Sequence, residues 1–192
     1  MEKKSVGALV LAGGGARRMQ GRSKALLEVG GETFLQRLAL AFSAFDERLI
    51  ATGDPLLAAG SPFRPVADRM PDRGPLEGIC AALAVCRSDA LVVVACDMPF
   101  FTAELAEYLA AAYRAGDCPV LALRDRAGGN HPLCGVYAKA ALPALDAVLA
   151  AGQRRVRAGL DAAGGRFLSL ADSPFPDRLL TNINTPEELA AL

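Results

Sequence analysis

The chain has 192 residues, enough for one domain of ordinary size, and is 52% hydrophobic, so it can bury a sizeable core. Its 21 basic and 21 acidic residues cancel, which argues against a nucleic-acid binder with a basic stripe and leaves any phosphate site to be built locally. Cys80, Cys86, Cys96, Cys118 and Cys134 are odd in number with no CxxC spacing, and His131 is the single histidine, so a disulfide framework, a zinc site and a histidine-based triad are not expected.

In chain order, Val6–Leu11 is a continuous apolar run ending at Gly13-Gly14-Gly15, the pattern of a strand buried on both faces and then a turn. A run this short cannot cross a membrane and carries no small-residue cleavage pattern, so a cytoplasmic protein without membrane contact is expected. Thr33–Phe45 spaces Phe34, Leu38, Phe42 and Phe45 for a helix. Leu49–Thr52 and Phe63–Ala67 read as strands. Gly74-Pro75 opens a helix with proline at its first position and Leu76, Ile79, Leu83 and Cys86 on one face.

Ala90–Ala95 is the clearest central strand, and Thr102 caps a helix carrying Leu105, Leu109 and Ala112 on one side. Pro119–Leu123 and Leu133–Tyr137 are further strands, Ala140–Ala151 is a helix stopping at Gly152, and Phe167–Leu170 is a late strand. Thr185-Pro186-Glu187-Glu188 is a capping box that begins a C-terminal helix. With strands and helices alternating throughout and no linker or repeat, residues 1–192 read as a single α/β domain: a mostly parallel sheet covered on both faces, with ligands at the carboxyl ends of its strands.

Leu11–Leu26 carries the strongest chemical signal. Three glycines let the backbone bring N–H groups close to phosphate oxygens, and Arg17, Arg18, Arg22 and Lys24 add local positive charge. Neither a P-loop nor a dinucleotide fingerprint fits, because Ala25 follows Lys24 and Arg18 stands three residues after Gly15. Asp97, in Val92-Val93-Val94-Ala95-Cys96-Asp97-Met98-Pro99, follows the central strand, where one carboxylate holds Mg²⁺ on a triphosphate. Asp68 also follows a strand, and its carboxylate matches the paired N1–H and N2–H donors of guanine; Asp72 reads as an exposed loop aspartate and Arg73 as solvated. Asn182 and Asn184 sit two residues apart in an extended segment, facing a ligand or serving as turn residues before a helix. Arg154, Arg155 and Arg157 either bind an acceptor phosphate or form a solvated basic face.

Together these segments resemble the molybdenum cofactor guanylyltransferases: Leu11–Lys24, Gly74–Gly78, Cys96–Pro99 and Asn182–Pro186 match that family's motifs in order. Gln20 and Ser23 depart from it, standing where the family usually has glycine and aspartate, and Ala51-Thr52-Gly53-Asp54 lacks the usual asparagine. The resemblance implies a single-domain, three-layer Rossmann-like nucleotidyltransferase fold. GTP is expected on Leu11, Ala12, Gly13, Gly14, Lys24, Asp68 and Asp97, with Mg²⁺ on Asp97. Lys24, Asp97 and Arg18 are the expected catalytic groups. A molybdopterin-type phosphorylated acceptor is expected on Arg155, Asn182 and Asn184, with transient contacts to other cofactor-synthesis proteins or molybdoenzymes. The alternatives are a related nucleotidylyltransferase using CTP or another acceptor, and a non-catalytic nucleotide-binding domain.

Overall fold

The computed structural model describes residues 4–13, 23–184 and 188–189. Nine strands and five α-helices occur among them: β1 (Val6–Leu11), β2 (Glu28–Val29), β3 (Glu32–Thr33), α1 (Phe34–Ala41), β4 (Arg48–Ala51), β5 (Arg64–Val66), α2 (Pro75–Val85), β6 (Ala90–Ala95), α3 (Ala103–Ala115), β7 (Val120–Arg124), β8 (Asn130–Ala138), α4 (Leu142–Ala150), α5 (Val156–Ala162) and β9 (Arg166–Ser169). Seven strands form one sheet in the order β5-β4-β1-β6-β8-β7-β9, and β2 pairs with β3 as a separate hairpin. Only β8 runs antiparallel to its sheet neighbours.

Side-chain alternation along the strands divides the core into two layers. Ala8, Val10, Ile50, Val92, Val94 and Val136 pack with α1 and α3 residues such as Leu38, Leu105 and Leu109. Leu9, Leu11, Leu49, Leu91, Val93 and Tyr137 face α2, α4 and α5 through Leu76, Ile79, Leu145 and Leu160. The period of two that sends successive residues to opposite faces is therefore buried on both sides, which is why β1 and β6 read as unbroken apolar runs. All six residues of β6 are buried. An unpaired carboxylate within that run would face a large desolvation cost, so the first acidic group of this segment appears only past Ala95, where the strand ends.

Local signals place the helices. Thr33 and Gln36 close a reciprocal capping box at α1, with bonds of 3.1 and 2.8 Å. Pro75 occupies the first turn of α2, and the Thr102 hydroxyl accepts from the Leu105 N–H. Gly152 adopts φ +80° just past α4, the left-handed conformation that ends a helix most readily at glycine. The α1 helix stops at Ala41, short of the expected Phe45; Phe42 and Phe45 remain buried, stacked edge to face at 5.5 Å in the turn that follows. The β2–β3 hairpin and α5 have no counterpart in the sequence reading, because two-residue strands and a seven-residue helix are too short to show a periodicity. The capping box at Thr185–Glu188 lies outside the described residues except for Glu188, whose carboxylate accepts from the Asn184 N–H at 2.6 Å. The five cysteines are free thiols. Among the described residues, no helix is long and apolar enough to cross a membrane.

Candidate active site

The carboxyl ends of β1, β4, β5 and β6 meet along one edge. There the Ala12 N–H donates to the Ala51 carbonyl at 2.9 Å and the Cys96 N–H to the Leu11 carbonyl at 3.0 Å, which aligns the ends of β4, β1 and β6. Gly14, Arg18 and the rest of residues 14–22 lie outside the described residues. Past them, Ser23 caps a 3₁₀ turn over Lys24–Leu26, its hydroxyl accepting from the Ala25 N–H at 3.4 Å. Ala25 is fully buried and anchors that turn. Ser23 thus does local structural work that aspartate, another capping residue, would also do.

Lys24 is brought to two partners distant in sequence. Its Nζ lies 3.4 Å from Asp97 Oδ2 and donates to Asn184 Oδ1 at 2.7 Å. The Ile183 N–H donates to the Asp97 carbonyl at 2.8 Å, so the backbone beside Asn184 is stitched to the end of β6. Asp97 Oδ1 is buried and has no hydrogen-bond partner among the described residues. Buried carboxylate oxygens are nearly always satisfied, so one that no described residue bonds is a candidate ligand atom. It suits a hard cation such as Mg²⁺, which takes one or two carboxylates and fills its remaining positions with phosphate oxygens and water. Among the described residues no cluster of three or more His, Cys, Asp or Glu could hold a metal by itself. Next to Asp97, burial and the neighbouring negative charge push the Cys96 thiol up to about 12, so it stays protonated.

A cavity of about 360 Å³ opens beside this cluster, lined by Leu11, Gly13, Gly53, Asp68, Gly74 and Gly78 among others. Such a volume lies in the range of small-molecule sites. Gly78 is needed for the close approach: a Cβ there would lie 3.1 Å from the Ala51 Cβ, 3.4 Å from Leu11 and 3.7 Å from Asp68 Oδ1. Asp68 stands exposed on the cavity wall; partial desolvation, and then the negative charge of Glu77, hold its carboxyl above the usual carboxylate value. Asp72 is exposed in the adjoining loop at φ 58°, with its carbonyl held by Arg154 at 2.9 Å.

Glu77 was not singled out from the sequence, yet it organises this wall. It is fully buried and accepts from the Arg69 backbone N–H at 2.9 Å and from the Arg69 guanidinium at 2.9 and 3.1 Å. Arg69 also reaches Asp146 on α4 at 2.7 Å. This clamp fixes the residue directly after Asp68. The available signal was an acid in the first turn of α2 within the Gly-Pro-Leu-Glu-Gly motif, next to a strand-end Asp-Arg pair. Gly53 and Gly78 were likewise not assigned as site residues and line the cavity.

Other sequence-based expectations divide. Asn184 joins Lys24; Asn182 is exposed and makes no side-chain hydrogen bond among the described residues. Arg155 stands at the N-cap of α5 and lines a separate groove with Ala147, Ala151 and Ala158. Arg73 is not solvated as expected: its guanidinium donates to the Leu149 carbonyl at 2.8 Å, satisfying the C-terminal end of α4.

Residues 8–166 match the family described as MobA-like NTP transferase domain. The chain belongs to this family. It is 39% identical over 188 residues to a molybdenum cofactor guanylyltransferase of Cereibacter sphaeroides, a match covering 95% of this chain and 92% of that protein. It is 36% identical to a protein of the same name from Pseudomonas putida, covering 94% of each. Among solved structures, molybdopterin-guanine dinucleotide biosynthesis protein A from Archaeoglobus fulgidus superposes with a TM-score of 0.80 at 26% identity, covering 97% of this chain and 95% of that one. A cytidylyltransferase from Thermus thermophilus shares the fold, with a TM-score of 0.66 at 20% identity. This member of the family is a nucleotidyltransferase with the expected Rossmann-like, mostly parallel sheet.

Proposed function

We propose that the protein transfers GMP from GTP to the phosphate of the molybdenum–molybdopterin cofactor, releasing pyrophosphate and forming the molybdopterin guanine dinucleotide cofactor. The observation that carries this reading is the buried oxygen of Asp97 that no described residue bonds, set beside Lys24 at the end of the central strand. The names of the relatives support both the guanine donor and the molybdopterin acceptor. Asp68 supports guanine on chemical grounds, since an anionic carboxylate accepts two adjacent N–H donors.

In this reading GTP lies with its base against Asp68 in the cavity and its phosphates toward Lys24 and the loop that begins at Leu11, Ala12 and Gly13. Gly14 and Arg18 keep their expected roles in that loop. When bound at Asp97, Mg²⁺ supplies charge neutralisation at the triphosphate. An oxygen of the acceptor phosphate attacks the α-phosphorus, the bond to the bridging oxygen breaks, and pyrophosphate departs with that oxygen. No side chain has to become covalently attached. The chain's contribution is alignment and fixed charge: Lys24 offsets charge on the leaving phosphates, Asn184 orients Lys24, and Asn182 and Arg155 serve the acceptor. Incubation with GTP, Mg²⁺ and molybdopterin should yield pyrophosphate and a product heavier than the acceptor by one guanylyl unit on mass analysis. Dinucleotide formation from CTP in preference to GTP would refute the guanine assignment.

A further inference from the structure

We propose that His131, held by Asp125, binds the phosphate of the acceptor on the side of Asp97 away from the nucleotide cavity. The proposal rests on the guanylyl-transfer reading and adds a residue that reading did not use.

Placement comes first. Because β8 is antiparallel, it starts at the edge where β1 and β6 end. Val94 stands opposite Cys134, so Asp97, three residues past Val94, and His131, three residues before Cys134, both lie at this edge. The base cavity lies toward β4 and β5, and the β7–β8 hairpin lies on the other side of β6 in the sheet order. An acceptor attacking the α-phosphorus opposite the leaving pyrophosphate needs its own site at this edge.

The strand is distorted at this point. Ala122 pairs with Gly135 but Leu123 pairs with His131, so Pro132, Leu133 and Cys134 bulge out against a single step of β7. Gly135 permits the pivot, because a Cβ there would run into the Leu121 carbonyl oxygen. The buried Tyr137 hydroxyl fixes the bulge from beneath by donating to the Pro132 carbonyl at 2.6 Å. Bulges of this kind re-aim a side chain and recur next to active sites.

The side chain so presented is held in place. His131 Nε2 lies 2.9 Å from Asp125 Oδ2, and the other Asp125 oxygen accepts from the Gly129 N–H at 2.7 Å. The turn is already closed by the Gly128 N–H to the Asp125 carbonyl at 3.1 Å and the Asp125 N–H to the Gly129 carbonyl at 2.9 Å, so the histidine is not needed to form it. The bond from His131, with that from Gly129, holds the Asp125 carboxyl below the usual range. With one ring nitrogen held by the carboxylate, the second is the one left for a ligand, and an acceptor phosphate bound there accepts its N–H. Nδ1 has no hydrogen-bond partner among the described residues, and the side chain is partly exposed. His131 thus contacts the acceptor, and Asp125 is a positioning residue that acts through it.

The test is steady-state kinetics of the full chain with GTP, Mg²⁺ and molybdopterin, each substrate varied in turn, for wild type, His131→Gln, His131→Ala and Asp125→Asn. Losing one charge-assisted hydrogen bond should raise the acceptor KM about tenfold or more in both His131 variants while the GTP KM stays unchanged. Asp125→Asn should shift the acceptor KM in the same direction by less. GTP binding by each variant, measured directly, reports that it is folded. An unchanged acceptor KM in His131→Gln overturns the inference, and so does a parallel rise in both KM values, which marks a structural role. A wild-type protein that binds GTP but forms no dinucleotide refutes the underlying reading and, with it, this one.

Discussion

Replacing Asp68 with alanine should erase most of the protein's choice of nucleotide base while leaving its metal requirement intact. Asp68 stands on the wall of the cavity with its carboxyl partly desolvated and facing the added negative charge of Glu77. Guanine would bring two N–H donors to that carboxylate. A hydrogen bond to a charged group contributes about 1.5–3 kcal/mol. Because Asp68 is exposed, half of that is a reasonable share for each of two bonds, which gives about tenfold to a hundredfold preference for GTP over ATP. ITP, lacking the 2-amino group, should fall between them. ATP turns an unprotonated N1 toward the carboxylate, leaving two acceptors with no proton between them. The assay is pyrophosphate release with GTP, ITP, ATP and CTP for wild type and Asp68→Ala. The pH dependence follows from the raised pKa. The anion is the form that binds guanine, so the GTP KM should rise as pH falls through the elevated Asp68 value, and Asp68→Ala should flatten that rise. For folding the sign is the opposite of a salt-bridged aspartate: the contribution of Asp68 is complete below its unfolded value and is lost as pH rises through its folded value. A GTP preference that survives Asp68→Ala undiminished would refute this account and move base recognition to the backbone of Leu11–Gly13.

Asp97→Asn should reduce turnover by about 10²–10³ with the protein still folded, since an amide keeps the shape but loses the charge facing the metal and Lys24; wild-type turnover at ordinary Mg²⁺ would remove Asp97 from the chemistry. Lys24→Ala should weaken GTP binding and slow transfer, whereas Asn184→Ala, which removes only the bond that orients Lys24, should slow transfer by less; equal losses would mean that Asn184 has a direct role. Glu77→Gln should lower stability by about 3 kcal/mol in urea denaturation, the low end for breaking a buried ion pair, because Arg69 keeps Asp146. It should also lower the pH at which the GTP KM begins to rise, since the negative charge of Glu77 helps to elevate Asp68.

The sequence by itself determined the order of the major elements and the chemistry at their ends. Apolar runs such as Val6–Leu11 and Ala90–Ala95 must be buried strands, and a charge directly past such a run is placed at the sheet edge by the cost of burying it within. The edge positions of Asp68 and Asp97 were legible for that reason, Lys24 from the glycine-rich basic segment that follows β1, and the caps at Thr33 and Thr102 from local signals. Tertiary structure alone decided which distant residues meet. Nothing in the spacing of Lys24 and Asn184 foretells a 2.7 Å bond, because the crossovers that join their segments set that distance. The same holds for Arg73, whose partner is a carbonyl on α4, and for Glu77, which looked like one more acid near a helix start until the fold buried it against Arg69. His131 makes the point most sharply. Its isolation in the sequence spoke against a histidine site, but a bulge in an antiparallel strand sets it against Asp125 at the edge where the central strand ends. Local preferences act over a few residues and can be read in order; contacts across the sheet depend on register and strand order, which only the folded chain fixes.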